Sequence, residues 1–479
     1  MQRFIHKLLQ LQIAQNGYEN LVFSPLSLEM LLGLVLPGTQ GKSREELLVA
    51  LEITEEEVNS YLAELQIVSD SLLSIQSDTS EEGNLTKIQF ANSLWHKKNT
   101  QPNPNYERTI STRFPFELFQ FSEPVENTLE RINQWANEKT NGLIPALPIS
   151  LNEDSVAVLL SALYLKAFWS REFNAYPQDT DVFYLLDGSE AVSQYMEIKQ
   201  DTEGEAMAHY LKKDSFHALR LMCNDERMGL EVYLPYENTG LSNFLETLNP
   251  AQFDQWQKEF VPAPYFYFLM PKFESKGSFK LGEIAEDLGI GALFELSDDL
   301  APLLISELPL QASEIAQEAK IKIKEEGLEA AAVTFMAMVG GSAFFEEPET
   351  QPMIIFEADH PFLYRIVDTI TNKVLFQGIF TKPENTSNAF LNHLNKQLIK
   401  EYKQKSAQLT DDERFVLALI LLEHALKKRP LKHGVIYSII NDIWQILSLI
   451  PSHRTQEVVI TFREYVDFSG STTFGGIPS

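Results

Sequence analysis

The sequence predicts an α+β protein. Helix signals crowd the first third of the chain, and strand signals dominate from there to about residue 380. Three observations carry that reading. Early helices announce themselves by their capping residues. Val156 to Tyr164 is a near-continuous apolar run, as in the middle of a covered sheet. Lys320 to Lys324 alternates charged and apolar residues, which is the period of a strand. No internal repeat is present.

Taken in order, residues 3–15 have apolar positions at helical spacing. Ser24 followed by Pro25 starts a second helix, with proline at its first position, and Pro37-Gly38 ends it. Ser43 with Glu46 three residues later has the capping-box pattern of a third helix. Residues 70–84 are polar and predict a loop, then Lys87 to Trp95 a strand. Asn127 to Gly142 predicts a helix closed by Gly142. Strands follow near 217–234 and 264–273, a helix and turn at 281–294, and an apolar strand at 374–380. Pro383 to Asn388 is a polar boundary. Beyond it, residues 389–479 predict an extension of two or three helices, about 389–406, 410–428 and 434–450, ending in a Gly/Ser/Thr-rich stretch.

Composition narrows the function. The net charge is −28, and residues 384–479 hold 11 Lys+Arg against 10 Asp+Glu, so the acidity belongs to the body. Solubility explains most of it, and an acidic body argues against nucleic acid, which needs a basic face. Cys223 is the only cysteine, so no intrachain disulfide can form. The N-terminal residues lack the apolar core and small-residue cleavage site of a signal peptide, and no run of 18 apolar residues suggests a membrane span. The expectation is a protein that is cytoplasmic, or exported without a conventional signal peptide.

The most informative stretch is Lys324-Glu-Glu-Gly-Leu-Glu-Ala-Ala-Ala-Val-Thr334. Its plain reading is an Ala-rich helix. Yet Ala330, Ala331 and Ala332 are small enough to slip between two existing strands, Gly327 frees the backbone, and Val333, Thr334 and Phe335 favour strand.

That stretch resembles the reactive-loop hinge of the serpins. Asn20 to Leu28, Ala91-Asn-Ser-Leu-Trp95, Trp135 to Ile144, Tyr164-Leu-Lys-Ala-Phe-Trp169, Pro271-Lys-Phe273 and Asp359 to Phe362 are similar to further serpin motifs, in family order across residues 1–383. The resemblance implies three β-sheets, eight to nine helices and an exposed loop at about 325–357. It also implies a suicide-substrate inhibitor. A serine or cysteine protease cuts the loop, an acyl-enzyme forms, and the loop enters the main sheet and carries the protease with it. The expected partner is that protease in a covalent complex. A monomer without cofactor or metal is expected, and no enzyme activity.

Site residues follow from the resemblance. Glu325, Glu326, Gly327, Leu328, Ala330, Ala331, Ala332 and Thr334 form the hinge. Leu328 stands where inhibitory members carry Thr or Ser. It can be buried, but its size is expected to slow insertion. The polar cluster controlling sheet opening has Ser24 and Ser27 as in the family, with Ser161 in the asparagine position and Gln317 in the histidine position; Trp169 marks the top of the sheet. Gln317 does not titrate, so histidine-based pH control is expected to be absent.

From Gly327 to Phe362 is 35 residues, about nine more than a short family loop. Counting from the hinge puts the cut at Gly341-Ser342. Met338, Val339, Phe344 and Phe345 are alternative specificity residues, suiting elastase-like or chymotrypsin-like enzymes; Phe344-Phe345 reads equally as an apolar anchor of the loop. No Lys or Arg occurs from 325 to 364, which disfavours trypsin-like targets.

Other signals fall away. Gly38-Thr-Gln-Gly-Lys-Ser43 ends like a phosphate loop, but position 36 is Leu where glycine is required. Gly340 to Phe344 is no nucleophile elbow, and no metal-ligand spacing occurs. His393, His424, His433 and His453 read as surface residues, and Lys427-Lys-Arg429 as a helix C-terminus. Two alternatives remain: a non-inhibitory member acting as a binding or chaperone protein, favoured by Leu328, Ser161 and Gln317, and an interaction or delivery role carried by the extension.

Overall fold

A helix over Pro25–Val35 organises the interior. Ser24 caps it, its side chain accepting from the Ser27 amide at 3.1 Å, and Pro25 takes the first turn, where no amide hydrogen is needed. Every residue of this helix is buried, Glu29 included; that carboxylate pairs with Lys373 Nζ at 3.0 Å. The computed structural model describes residues 1–77, 86–121, 124–147, 149–152, 155–202, 205–307, 309–328 and 353–383. The chain divides into two units, Met1–Glu384 and Asn385–Ser479. The expected helical extension lies outside the described residues.

The described residues form three main sheets, two of which pack on the buried helix through Lys373–Phe380 and Ala157–Phe168. A six-stranded sheet runs Phe273–Lys280, Glu314–Ile323, Gly327–Leu328, Ala157–Phe168, Lys87–Lys97, Phe116–Phe121. A seven-stranded sheet is built around Met228–Pro235, Phe362–Asp368 and Lys373–Phe380. A four-stranded sheet runs Ile354–Glu357, Phe266–Pro271, Glu190–Gln200, Asn174–Tyr184. Among the described residues there are nine α-helices.

Alternation assigns the two faces of the six-stranded sheet. Leu159, Leu163, Leu165 and Ala167 face the main core, together with Ile315, Ala319, Ile321 and Ile323. Val158, Leu160, Ala162 and Ala316 face the other way, into a second apolar cluster with Trp95, Ile132 and Trp135. The helix Val125–Lys139 therefore covers the lower half of the outer face.

Several local expectations need correction. Ser43 does not open its helix, which runs over Gly41–Leu51 from Gln40; Asp299 Oδ2 instead accepts from the Ser43 amide at 2.8 Å, capping the helix from a distant loop. Glu46 accepts from the Ala292 amide rather than closing a capping box. Residues 70–77 are not loop, because the helix Val58–Leu73 and a 3-10 turn over Ser74–Ser77 carry on. The helix predicted to end at Gly142 ends at Lys139 with Thr140 as its cap, and Gly142 lies in the turn beyond with φ 82°.

Buried charges in the seven-stranded sheet are paired. Arg220 donates to Glu231 at 2.9 and 2.7 Å, and Tyr233 donates to the same carboxylate at 2.8 Å. Arg227 grips Asp368 with two parallel bonds of 2.7 and 2.6 Å and donates to the Ser71 carbonyl at 3.0 Å, tying the end of the Val58–Leu73 helix to the sheet. Burial raises the Asp368 pKa, but the Arg227 and Thr371 hydrogen bonds and the Arg227 charge outweigh it, leaving the value below the ordinary 3.8. A depressed carboxylate stabilises the fold above its unfolded pKa, and this is lost as pH falls through the folded value. Asp368→Asn is expected to cost about 3–5 kcal/mol at pH 7, because it leaves Arg227 buried without its counter-charge. It should also flatten the loss of stability below about pH 4, as followed by urea unfolding at stepped pH.

Candidate functional site

The six-stranded sheet is forked. Ala157–Phe168 and Glu314–Ile323 run parallel and pair directly only at Glu314↔Val158 and Ile315↔Leu159. At the other end a third strand lies between them. The chain leaves Ile323, turns through Lys324 to Glu326, and returns antiparallel as Gly327–Leu328. Leu328 stands opposite Ile323 on one side and Ala167 on the other. Between the two ends no pairing joins the parallel strands among the described residues.

The turn is held by backbone bonds. Lys324 N donates to Gly327 O at 3.1 Å and Gly327 N returns to Lys324 O at 3.3 Å. Trp169 Nε1 donates to Lys324 O at 2.9 Å, Trp169 N to Glu326 O at 3.2 Å, and Phe173 N to Glu325 O at 2.9 Å. Lys272 Nζ donates to Glu325 Oε1 at 2.8 Å. Gly327 is sterically obligatory here, since a Cβ would come within 2.2 Å of the Ala167 carbonyl oxygen. Leu328 is 1% exposed and joins the main core. Its size is thus accommodated at the top of the fork.

An aromatic column links the two ends of the loop. Trp169 meets Phe173 at 5.7 Å, Phe173 meets Phe268 at 5.7 Å, and Phe268 meets Phe356 at 5.4 Å, each edge-on. Phe356 belongs to Ile354–Glu357, the strand on which the chain re-enters the described fold.

The predicted polar cluster does assemble, halfway down the fork. Ser27 Oγ donates to Ser161 Oγ at 3.0 Å. Gln317 binds the backbone of Ser24 in both directions: its Oε1 accepts from Ser24 N at 2.9 Å and its Nε2 donates to Ser24 O at 3.0 Å. One helix start is therefore bonded to both arms, Ser161 on one and Gln317 on the other. Asn92, inside the Ala91 to Trp95 motif, lies beside this cluster. It pairs with Ser161 across the neighbouring strand, is 1% exposed, and its side-chain oxygen has no partner among the described residues. Only the strand register could have singled it out. Lys272, in the Pro271 to Phe273 motif, is the partner of Glu325, a pairing that sequence spacing does not reveal.

Ala330, Ala331, Ala332, Thr334, Met338, Val339, Gly341, Ser342, Phe344 and Phe345 lie outside the described residues. Burial, and then the Asp225 carboxylate, push the Cys223 thiol up, which removes it as a nucleophile. No group of three His, Cys, Asp or Glu suited to a metal ion occurs among the described residues, and no helix there is long and apolar enough to cross a membrane.

Comparison with known proteins accounts for this arrangement. The family model for serpins, serine protease inhibitors, matches residues 1–383. Serpin-Z3 of Arabidopsis thaliana is 28% identical over 403 residues, covering 80% of this chain and 95% of its own. The leukocyte elastase inhibitor of Xenopus laevis is 27% identical over 377 residues, covering 77% of this chain and 94% of its own. Among solved structures, thyroxine-binding globulin in complex with thyroxine superposes with a TM-score of 0.67 at 19% identity, over 80% of this chain and 98% of its own; at that identity the likeness is one of fold. Over residues 1–383, this chain belongs to the serpin family.

Proposed function

We propose that this serpin is a suicide-substrate inhibitor of serine proteases, and of cysteine proteases by the same route. The observation that carries the reading is the fork with its first two loop residues already inside. Continuing the antiparallel register of Gly327–Leu328 sets position 334 between Ser161 and Gln317, and position 338 opposite Ala157, where that arm of the fork ends. Even-numbered positions then face the core like Leu328: Ala330, Ala332, Thr334, Met336 and Met338. The small residues enter first, and Thr334 brings a hydroxyl to the one polar row. A cut at Gly341-Ser342 leaves a few residues to clear the end of the sheet before the attached protease.

The chemistry is that of acyl transfer. The protease serine Oγ adds to the Gly341 carbonyl, its proton passing to the protease base. The Gly341–Ser342 bond then breaks, and Ser342 departs as a free amine carrying that proton. An ester joins the two proteins; a cysteine protease would leave a thioester. Insertion of positions 329–338 makes roughly ten backbone hydrogen bonds worth about 1 kcal/mol net each, on the order of 10 kcal/mol. The direct pairing that must part involves two residue pairs. Gly341 and its apolar neighbours suit an elastase-like or chymotrypsin-like pocket, a reading supported by the absence of Lys and Arg from 325 to 364.

Incubation with an elastase-like protease should give a complex that survives denaturing electrophoresis, with the new N-terminus at Ser342. Loop cleavage should raise the Tm by on the order of 10 °C, the insertion energy divided by the unfolding entropy of a body this size. Cleavage with neither complex nor gain in Tm would instead favour the non-inhibitory binding or chaperone reading. Gly327→Val drives a side chain into the Ala167 carbonyl. It is expected to lower complex yield at least about tenfold, a loss of some 1.4 kcal/mol in partitioning, leaving a chain that is cut but does not trap. Electrophoresis of timed samples measures that ratio.

A further inference from the structure

We propose that Lys166 and Lys322 form a paired ammonium site on the outer face of the forked sheet, and that this site receives the carboxylate of Glu329 and sets the pace of loop entry. The inference rests on the insertion reading given above.

Register and alternation place the site. Carrying the parallel pairing upward from Glu314↔Val158 brings Lys322 level with Lys166, one on each arm. Leu328 occupies the row below Gly327 and faces the core. Insertion in that register would bring position 329, which lies outside the described residues, between Lys322 and Lys166 and on their outward face. Neighbouring strands are about 4.8 Å apart, so each ammonium stem starts within one strand spacing of the entering residue.

Charge points the same way. The body is strongly acidic, yet this row reads Glu274, Lys322, the gap, Lys166, Lys87. Lys322 Nζ is 3.6 Å from Glu274 Oε2, but the same carboxylate also holds Lys320. Lys166 Nζ lies 5.2 Å from the Phe168 ring centroid and has no carboxylate partner among the described residues. Lys87 likewise sits over the Tyr164 ring at 6.0 Å. One row down, Lys276 is paired with Glu318. The unbalanced positive charge is thus concentrated where the first charged residue after Leu328 would enter, and the chain supplies one acid at that position, Glu329, ahead of three alanines.

The occupant is tested in the full-length chain. Glu329→Gln, the pair Lys166→Gln with Lys322→Gln, and all three together are compared after loop cleavage, each first shown to melt like the parent while uncut. Insertion is followed by the change in Trp169 fluorescence and by the final Tm. The acid variant and the lysine pair should each slow insertion about 5- to 10-fold, the effect of two partly exposed ion pairs. The combined variant should be no slower than either alone, and raising salt to about 0.5 M should slow the parent but not the variants. Equal rates in all four chains, or additive slowing, would overturn the proposal while leaving insertion itself intact. No gain in Tm for the cleaved parent would overturn the insertion reading and the proposal together.

Discussion

Everything in this fold turns on a missing ladder. Two parallel strands at the centre of the six-stranded sheet meet at two residue pairs and then diverge, and the chain's own hinge props them apart at the other end. An antiparallel strand fitting that space satisfies backbone groups on both arms at once. On the proposed reading, the chain that follows Leu328 supplies the missing strand once the loop is cut, and the free energy released is that of backbone pairing rather than of any strained bond angle.

Both ends of the fork are bonded to their surroundings. From behind, the start of the buried Pro25–Val35 helix holds Ser161 through Ser27 and Gln317 through the Ser24 backbone. Both arms lean on the same rigid element, so separation must be concerted with movement at that helix start. At the mouth, the Trp169 indole, the Phe173 amide and Lys272 fix the turn that delivers Leu328. Gln317 is a neutral amide able to donate and accept together, and it does both with the Ser24 backbone.

Much of this was legible in the residues. Ser24-Pro25 gave the buried helix its true start, and the apolar run from 156 gave the central strand, because capping chemistry and unbroken hydrophobicity are local signals. The polar cluster was nameable only through family resemblance: Ser27, Ser161 and Gln317 are far apart in sequence, and no periodicity unites them. Ser43 misled, because its helix is capped by Asp299 from a loop some 250 residues away, a tertiary solution invisible to a local rule. The Leu328 side chain is buried opposite Ile323 and Ala167, a placement that depends on strand register rather than residue type. The place of Asn92 beside the cluster and the Lys166–Lys322 row stayed hidden for the same reason.

Amide hydrogen exchange over residues 160–166 and 316–322, before and after loop cleavage, tests the central claim most directly. If the loop completes the sheet, amides facing the gap on both arms gain partners, and their exchange should slow by at least about 100-fold, toward the global unfolding limit. Unchanged exchange on either arm of a chain shown to be cut would contradict the account.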